Sequence, residues 1–314
     1  MDRVLVTSSR QLGGFLSIDM CGIVGLFLKD VTLEPELGAL LAGMLGTMCD
    51  RGPDSAGFAV YRGATPGTIK LTIRAPQDFD VAATVHRLKA SGIAVSHAVH
   101  DTHFVLTVPV AQEAAARAEI AAVPELTLVG SGRRMEIFKE VGRPDIVAKR
   151  FGLGAMTGTH AVGHTRMATE SAVTTDGAHP FTTGADQCLV HNGSLSNPHL
   201  VRKKLEPLGI TFETDNDTEA ACRFFEWRLR EGDDLKTAVT RGFSELDGFY
   251  TFLMGTDREL LIVRDAFACK PAVVAETDDY VAIASEFRSL AHLPHIAHAS
   301  LFEPKPEEIY SWRI

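Results

Sequence analysis

The chain has 314 residues, 45% of them hydrophobic and 23% charged, which is ordinary for a globular protein and allows one large domain or two small ones. Its formal net charge of −9 argues against a binding surface for nucleic acid or anionic lipid, and no apolar run approaches the roughly 20 residues of a membrane-spanning helix. The five cysteines are scattered without a C-x-x-C spacing, which favours a reducing cytoplasm over a disulfide framework or a zinc site.

Short apolar, β-branched runs predict strands, and apolar residues at helical spacing predict helices between them. The predicted strands are 21–28, 57–62, 68–74, 103–110, 160–166, 187–192, 249–255, 259–264, 272–275 and 280–285. The predicted helices are 34–48, 80–91, 111–122, 197–207, 217–230 and 234–245. Many strands come in pairs with short connections, as in 249–264, where Gly255 to Asp257 makes the turn. Such pairing predicts antiparallel sheets and an α+β fold class.

Residues 68–131 have an order of their own: strand, helix, strand, strand, helix, strand. This is the split βαβ pattern of ferredoxin-like modules. Two interpretations remain open, a small insertion in the main domain or extra strands that continue the main sheets.

Cys21 follows Met20 at the start of the first predicted strand. One interpretation is a structural cysteine, since free cysteine is among the most buried residue types. The other starts from the removal of methionine before a small residue, which would leave Cys21 at the N-terminus if translation began at Met20. An N-terminal cysteine carries a nucleophile and, in its α-amino group with a reference pKa of about 7.7–8.0, a base.

Two segments contain arginines with more than one interpretation. "RGPDSAG" at 51–57 has the composition of a surface turn. "GHTRMATES" at 163–171 follows an apolar run, and its Arg166 is either a solvated charge or a fork that holds a carboxylate through two parallel hydrogen bonds.

Two further segments combine turn chemistry with candidate binding groups. In "CLVHNGSLSN" at 188–197, Asn-Gly is either a hairpin turn or a pair of donors, the Asn192 amide and the Gly193 N–H, for a developing oxyanion. In "ETDNDTEAA" at 213–221, Asp215 or Asp217 either caps the next helix or receives a substrate ammonium group.

In this order, the segments resemble the class II glutamine amidotransferases, the N-terminal-nucleophile (Ntn) hydrolases that release ammonia from glutamine. The resemblance spans residues 21 to about 310 and is interrupted mainly by 63–158. The matching segments are Cys-Gly-Ile-Val-Gly at 21–25, Arg-Gly-x-Asp-Ser-x-Gly at 51–57, Gly-His-Thr-Arg at 163–166, His-Asn-Gly at 191–193, Asn-Asp-Thr-Glu at 216–219, Asp-x-x-x-x-Lys-Pro within 264–275 and Ala-Ser-Glu within 282–286. The resemblance implies a four-layer αββα sandwich with two antiparallel sheets, here with an inserted α/β block.

The resemblance also implies a role for each matching residue. The Cys21 thiolate attacks the glutamine amide and forms a glutamyl thioester, while Asn192 and Gly193 stabilise the oxyanion. The implied substrate-binding residues are Arg166 for the α-carboxylate, Asp217 for the α-ammonium group, Thr169, and Arg51 as the anchor of the loop over the site. Alignment on Asp-Thr-Glu favours Asp217 over Asp215. No metal ligands are implied.

Within the family, "GHTRMATESAVTT" is most similar to stand-alone amidotransferase subunits of the glutamate synthase type, including that of N-methylglutamate synthase. Such a subunit contains no cofactor of its own, and any FMN and iron–sulfur clusters belong to a partner synthase. The implied assembly is a cytoplasmic hetero-oligomer that passes ammonia from L-glutamine to the synthase subunits.

Two alternatives stay open at this stage. One is a regulatory or scaffolding subunit that binds glutamine without turning it over, because an uncut chain has no free amine on Cys21. The other is an N-terminal-cysteine amidase that acts on acyl amides. The opposite charges of Arg166 and Asp217 favour an α-amino acid over an acyl chain.

The resulting domain prediction has three parts. Residues 1–20 are a leader or a misassigned start, 21–310 form the amidotransferase domain, and 63–158 form the insertion within it. We expect the 68–131 core to supply part of a partner-docking surface through helix 111–122, or else to thicken the edge of the sandwich.

Overall fold

The computed structural model describes residues 21–167, 173–182 and 184–314. The predicted leader 1–20 and the predicted site residue Thr169 lie outside these described residues. The strands are β1 (Gly22–Leu28), β2 (Ser55–Tyr61), β3 (Thr68–Arg74), β4 (Ser96–His100), β5 (His103–Pro109), β6 (Thr127–Gly132), β7 (Met135–Val141), β8 (His160–Arg166), β9 (Phe181–Thr182), β10 (Cys188–Leu195), β11 (Gly248–Gly255), β12 (Glu259–Arg264), β13 (Val273–Glu276), β14 (Tyr280–Ala284), β15 (Ser300–Phe302) and β16 (Tyr310–Arg313). The α-helices are α1 (Leu37–Gly46), α2 (Val81–Ala90), α3 (Glu113–Ala121), α4 (Pro144–Arg150), α5 (Pro198–Leu205), α6 (Asp217–Arg230) and α7 (Leu235–Glu245).

Two antiparallel sheets form the centre of the described chain. One has the strand order β15-β13-β14-β1-β8-β2-β7, and the other has the order β16-β12-β11-β10-β9. β1 is therefore an interior strand, paired with β14 on one side and β8 on the other. This position fixes the beginning of β1, where Cys21 lies, against two neighbouring strands.

The side chains of β1 show how the layers are stacked. Val24 and Leu26 pack with α1 and α4 on the outer face of their sheet, whereas Ile23 and Phe27 face the second sheet. This alternation follows from the two-residue period of a strand. The second sheet is covered on its own outer face by α5, α6 and α7. Helix, sheet, sheet and helix layers thus form the predicted αββα sandwich.

Strands β3, β4, β5 and β6 form a separate antiparallel sheet with the order β4-β5-β3-β6. Helices α2 and α3 pack on this sheet and close a small core of their own. We call this unit, residues 68–132, the insertion module. Its four strands do not extend either central sheet.

The expected insertion 63–158 is longer than the module. Residues 135–141 form β7, which pairs with β2 along its whole length and so belongs to the main sandwich. Helix α4 packs on α1 in the same outer layer. The sequence analysis missed β7 and α4 because neither matches a glutaminase motif, and motif spacing alone placed them inside the insertion.

Candidate active site

Cys21 is half-buried at the start of β1. Its Sγ lies 3.7 Å from the carbonyl oxygen of Met167, the residue that follows β8. Behind it, the Nε of Arg51 donates to the Cys21 carbonyl at 2.9 Å, and Arg51 Nη1 pairs with Glu286 at 2.6 Å. Arg51 therefore holds the backbone of Cys21 and does not line the cleft beside it.

Burial is the largest influence on the pKa of the Cys21 thiol. Burial raises the pKa of the Cys21 thiol above its usual value, and the nearby Asp217 carboxylate acts in the same direction. The hydrogen bond to Met167 and the charges of Arg166 and Arg51 oppose this rise without cancelling it. The thiol is consequently protonated at neutral pH, so a nucleophilic attack by its sulfur would require a base.

The two predicted oxyanion donors lie at the middle of β10. Gly193 has φ of +140°, and a Cβ at this position would collide with the Phe249 carbonyl on β11. Only glycine fits there, and its backbone lines the cleft. Asn192 is buried beside it, and its Nδ2 donates to the Ser285 hydroxyl at 3.4 Å. Ser285 also accepts from the backbone N–H of Ile23 at 3.0 Å, which joins Asn192 to the start of β1.

A cleft of about 280 Å³ brings four of the predicted residues together. Its walls include Cys21, Arg166, Gly193 and Asp217. Arg166 is the buried last residue of β8, and Asp217 is the first residue of α6. The Asp217 carboxylate accepts from the Leu195 backbone N–H at 2.8 Å. The cleft thus presents a thiol, a guanidinium group and a carboxylate to one small ligand.

Asp215 also lines the cleft, so both candidate carboxylates are present. They differ in their support: Asp217 is fixed by the Leu195 N–H, whereas the loop carrying Asp215 is held by Glu219, whose carboxylate accepts from the N–H groups of Glu213 and Thr214. The Asp217 carboxylate is thus held by a hydrogen bond of its own, whereas Asp215 is positioned through its loop.

The "RGPDSAG" segment acts as a support for Arg166. Gly52 packs so closely on the Arg166 backbone that a Cβ would lie 2.8 Å from the Arg166 carbonyl carbon. The Asp54 N–H donates to the Arg166 carbonyl at 3.1 Å, and the Thr165 hydroxyl donates to the Gly52 carbonyl. Residues 51–57 therefore fix the position of the Arg166 backbone at the end of β8. Their composition, which is typical of a surface turn, does not reveal this role.

Sequence reasoning missed three buried side chains beside the cleft. His179, His191 and Thr218 are all buried, and all three line the wall near Asp217. His191 and Thr218 belong to matching motifs, directly next to the predicted site residues Asn192 and Asp217. This proximity in the sequence could have indicated that they lie at the site. His179 belongs to no such motif.

Within the described part of the chain, no group of three or more His, Cys, Asp or Glu residues is arranged to hold a metal ion. None of the described helices has the length and apolar character to cross a membrane.

Comparisons with known proteins decide the family. A model of the glutamine amidotransferase domain matches residues 164–292. The chain is 53% identical over 295 residues to the glutamine amidotransferase-like protein GlxB of Rhizobium meliloti (strain 1021), covering 93% of this chain and 98% of that protein. This chain is a class II glutamine amidotransferase. The family predicted from the motifs is thereby confirmed, as is glutamine amide hydrolysis as the reaction class.

Two further similarities agree with this family. A putative glutamine amidotransferase of Methanothermobacter thermautotrophicus is 32% identical over 304 residues, covering 93% of this chain and 99% of that protein. Glutamine phosphoribosylpyrophosphate amidotransferase from B. subtilis has a similar structure, with a TM-score of 0.59 and 20% sequence identity over 93% of this chain and 49% of that one. The structural likeness confirms the Ntn-hydrolase sandwich as the fold of this amidotransferase.

Proposed function

We propose that this amidotransferase hydrolyses L-glutamine through a thioester on Cys21 and supplies the ammonia to a separate synthase subunit. The observation that carries the proposal is the common cleft of Cys21, Arg166, Gly193 and Asp217. A guanidinium group and a carboxylate near one thiol suit a ligand with both an α-carboxylate and an α-ammonium group. L-Glutamine combines these two charges with a side-chain amide.

In the proposed reaction, Arg166 binds the α-carboxylate and Asp217 the α-ammonium group, so that the amide carbon faces the Cys21 sulfur. The thiol loses its proton as sulfur attacks, and Asn192 and Gly193 donate to the oxyanion of the tetrahedral intermediate. The C–N bond then breaks, and the nitrogen takes up the proton and leaves as ammonia. Water adds to the thioester, glutamate departs and the thiol is restored.

The base for this step is the α-amino group of Cys21 itself in the active form that we propose. A protein beginning at Cys21 has an amine on the same residue as its buried thiol, with a reference pKa of about 7.7–8.0. Intact-mass measurement of the active enzyme from its native host tests this. We expect a chain beginning at Cys21, and full activity in a chain that still begins at Met1 would contradict the role of the amine.

The partner in this proposal is a synthase of the glutamate synthase or N-methylglutamate synthase type, which accepts the ammonia in a cytoplasmic hetero-oligomer. We propose the insertion module as part of its docking surface. The charged residues Glu113, Arg117 and Glu119 of α3 are unsuitable positions for testing this surface by substitution. Arg117 pairs with Glu113 at 2.7 Å and donates to Ser131, while Glu119 pairs with Arg87 at 3.1 Å, so all three stabilise the module.

The exposed face of α3 offers a cleaner test. Ala114 and Ala118 are exposed and lie one helical turn apart. We expect the double variant Ala114→Glu/Ala118→Glu to weaken co-purification with the synthase subunits while glutaminase activity stays near the wild-type value. Normal assembly in this variant would contradict docking through α3.

The glutaminase proposal is tested by incubating purified protein that begins at Cys21 with L-glutamine. We expect glutamate and ammonia in equal amounts, and a further rise in turnover when the synthase subunits are added. Failure to form glutamate, with or without those subunits, would contradict the proposal.

A further inference from the structure

The hydroxyl of Thr218 joins two histidines next to the proposed ammonium site. Thr218 Oγ1 lies 2.9 Å from His191 Nδ1 and 2.8 Å from His179 Nε2. Thr218 follows Asp217 at the beginning of α6, whereas His191 lies on β10 and His179 on the segment before β9. One side chain thus connects the first turn of a helix to two separate parts of the sandwich.

These hydrogen bonds tie both rings to one hydroxyl. Within the described residues, the second ring nitrogens of His179 and His191 are buried without a hydrogen-bond partner. Thr218 therefore orients each ring through a hydrogen bond, in addition to the packing of His179 on His164 and of His191 on Phe252. A hydroxyl has a single hydrogen, so at least one of the two histidines must donate its own N–H to Thr218.

A third histidine extends the contact to β8. His164 stacks on His179 with ring centroids 4.0 Å apart, and its Nε2 donates to the His191 carbonyl at 2.8 Å. His164 is two residues before Arg166 on the same strand. Burial lowers the pKa of all three histidines, so the cluster is a neutral hydrogen-bonded unit at working pH.

We propose that Thr218 is a positioning residue for substrate recognition. By bonding His179 and His191, its hydroxyl holds the first turn of α6 against β10 and so fixes Asp217 relative to the Cys21 sulfur. The Asp217 carboxylate lies 3.8 Å from His191 Nδ1 and 3.5 Å from Thr218 Oγ1, which gives the network a direct contact with the charge that it positions. This inference rests on the proposed binding of the glutamine α-ammonium group by Asp217.

The test compares two substrates with the same side-chain amide. L-Glutamine has the α-ammonium group, and glutaramate lacks it. We expect Thr218→Val to lower kcat/KM for L-glutamine by about 10- to 100-fold, mainly through KM, which is the range for a weakened hydrogen bond to a charged group. We expect a much smaller change for glutaramate, so the preference for L-glutamine falls. Thr218→Ser keeps the hydroxyl and should restore the preference.

The matched control is Thr84→Val, which alters a buried threonine in α2 of the insertion module, away from the cleft. It should leave the substrate preference unchanged. If Thr218→Val lowers kcat/KM equally for both substrates, Thr218 has only a structural role and the proposal is wrong. An unchanged kcat/KM for L-glutamine would also overturn the proposal. If Thr218→Val does not fold, Thr218→Ala supplies the same comparison with a cavity that water can enter.

A spectroscopic measurement does not depend on turnover. In ¹⁵N spectra of the imidazole rings, we expect His179 and His191 of the wild type to be neutral, each in one fixed tautomer, between about pH 7 and 8. In Thr218→Val at least one ring should show mixed tautomers, and unchanged spectra would overturn the proposal. Absence of glutamine turnover in the wild type would instead contradict the proposed function, so the two failures are distinguishable.

Discussion

Two buried arginines near Cys21 have different surroundings and, we infer, different tasks. Arg51 binds the Cys21 carbonyl and the Glu286 carboxylate outside the cleft, whereas Arg166 lines the cleft. The sequence motifs grouped both with substrate binding. The two roles can be distinguished only in the folded chain, because they depend on the side of Cys21 on which each guanidinium group lies.

This difference predicts distinct kinetics for two matched substitutions. Arg166→Lys should raise the KM for glutamine by about tenfold or more, because lysine cannot reproduce a bidentate contact with a carboxylate. Arg51→Lys should lower kcat more than it changes KM, since it loosens the backbone of the nucleophile. Steady-state kinetics with L-glutamine measures both. A KM that is unchanged in Arg166→Lys would remove this arginine from the binding site.

At the scale of the elements, the strands and helices that carry site residues were predictable. Helix 217–230 was predicted with the bounds that α6 has, and strand 160–166 with those of β8. Both have strong periodicity and residue types that mark their ends. The short strands β9, β15 and β16 were missed, since two to four residues give too little pattern and pairing with a neighbour defines them.

The site was less predictable than its elements. Cys21, Arg166 and Asp217 each belong to a motif, but the Thr218 contacts join chain segments 27 and 39 residues apart. The cap of α6 is Asn216, whose side chain accepts from the Thr218 N–H at 2.9 Å, and not Asp215 or Asp217, the candidates from the sequence. Nothing local specifies that the Thr218 hydroxyl meets two histidines, because this requires the packing of α6 on β10.

The positive φ of Gly193 within β10 gives a prediction at the same scale. Gly193→Ala should lower kcat by about 10²-fold or more, because the positive φ and the nearby Phe249 carbonyl force the backbone donor away from its position. Gly209→Ala is a suitable control for the φ effect, since Gly209 also has a positive φ but a Cβ there meets nothing within 4 Å. Turnover in Gly193→Ala close to that of Gly209→Ala would contradict the assignment of this N–H as an oxyanion donor.

The whole molecule contains several buried neutral histidines, and these make its stability dependent on pH. Burial lowers the pKa of His103, His160 and His164 to about 3 in the folded protein. In the unfolded chain the usual value is about 6.5. Between these values the unfolded chain binds more protons, so the free energy of unfolding falls as pH drops from about 6.5 towards 3.

We therefore expect the Tm to fall clearly between about pH 7 and pH 5, by an amount that grows as the pH drops, since each histidine contributes up to about 1.4 kcal/mol per pH unit. Scanning calorimetry over this range measures the effect. His160→Gln should flatten the dependence, whereas His86→Gln should not, because His86 is exposed on α2. A Tm that does not change over this range would contradict the neutral buried state of these rings.

At the scale of the whole molecule, the insertion module is separate from the candidate cleft. Its own core and separate sheet make it a distinct body on the sandwich, while every residue of the candidate cleft comes from the sandwich itself. Catalysis and partner recognition can therefore be altered independently in the account that we propose.

Hydrolysis of L-glutamine by Cys21 is tested most directly by glutamate formation in the wild type and in Cys21→Ala, each as a folded chain that begins at residue 21. We expect turnover in the wild type and less than about one per cent of it in the variant, because alanine removes the proposed nucleophile and no second thiol lines the described cleft. Turnover in Cys21→Ala close to that of the wild type would contradict the thioester mechanism.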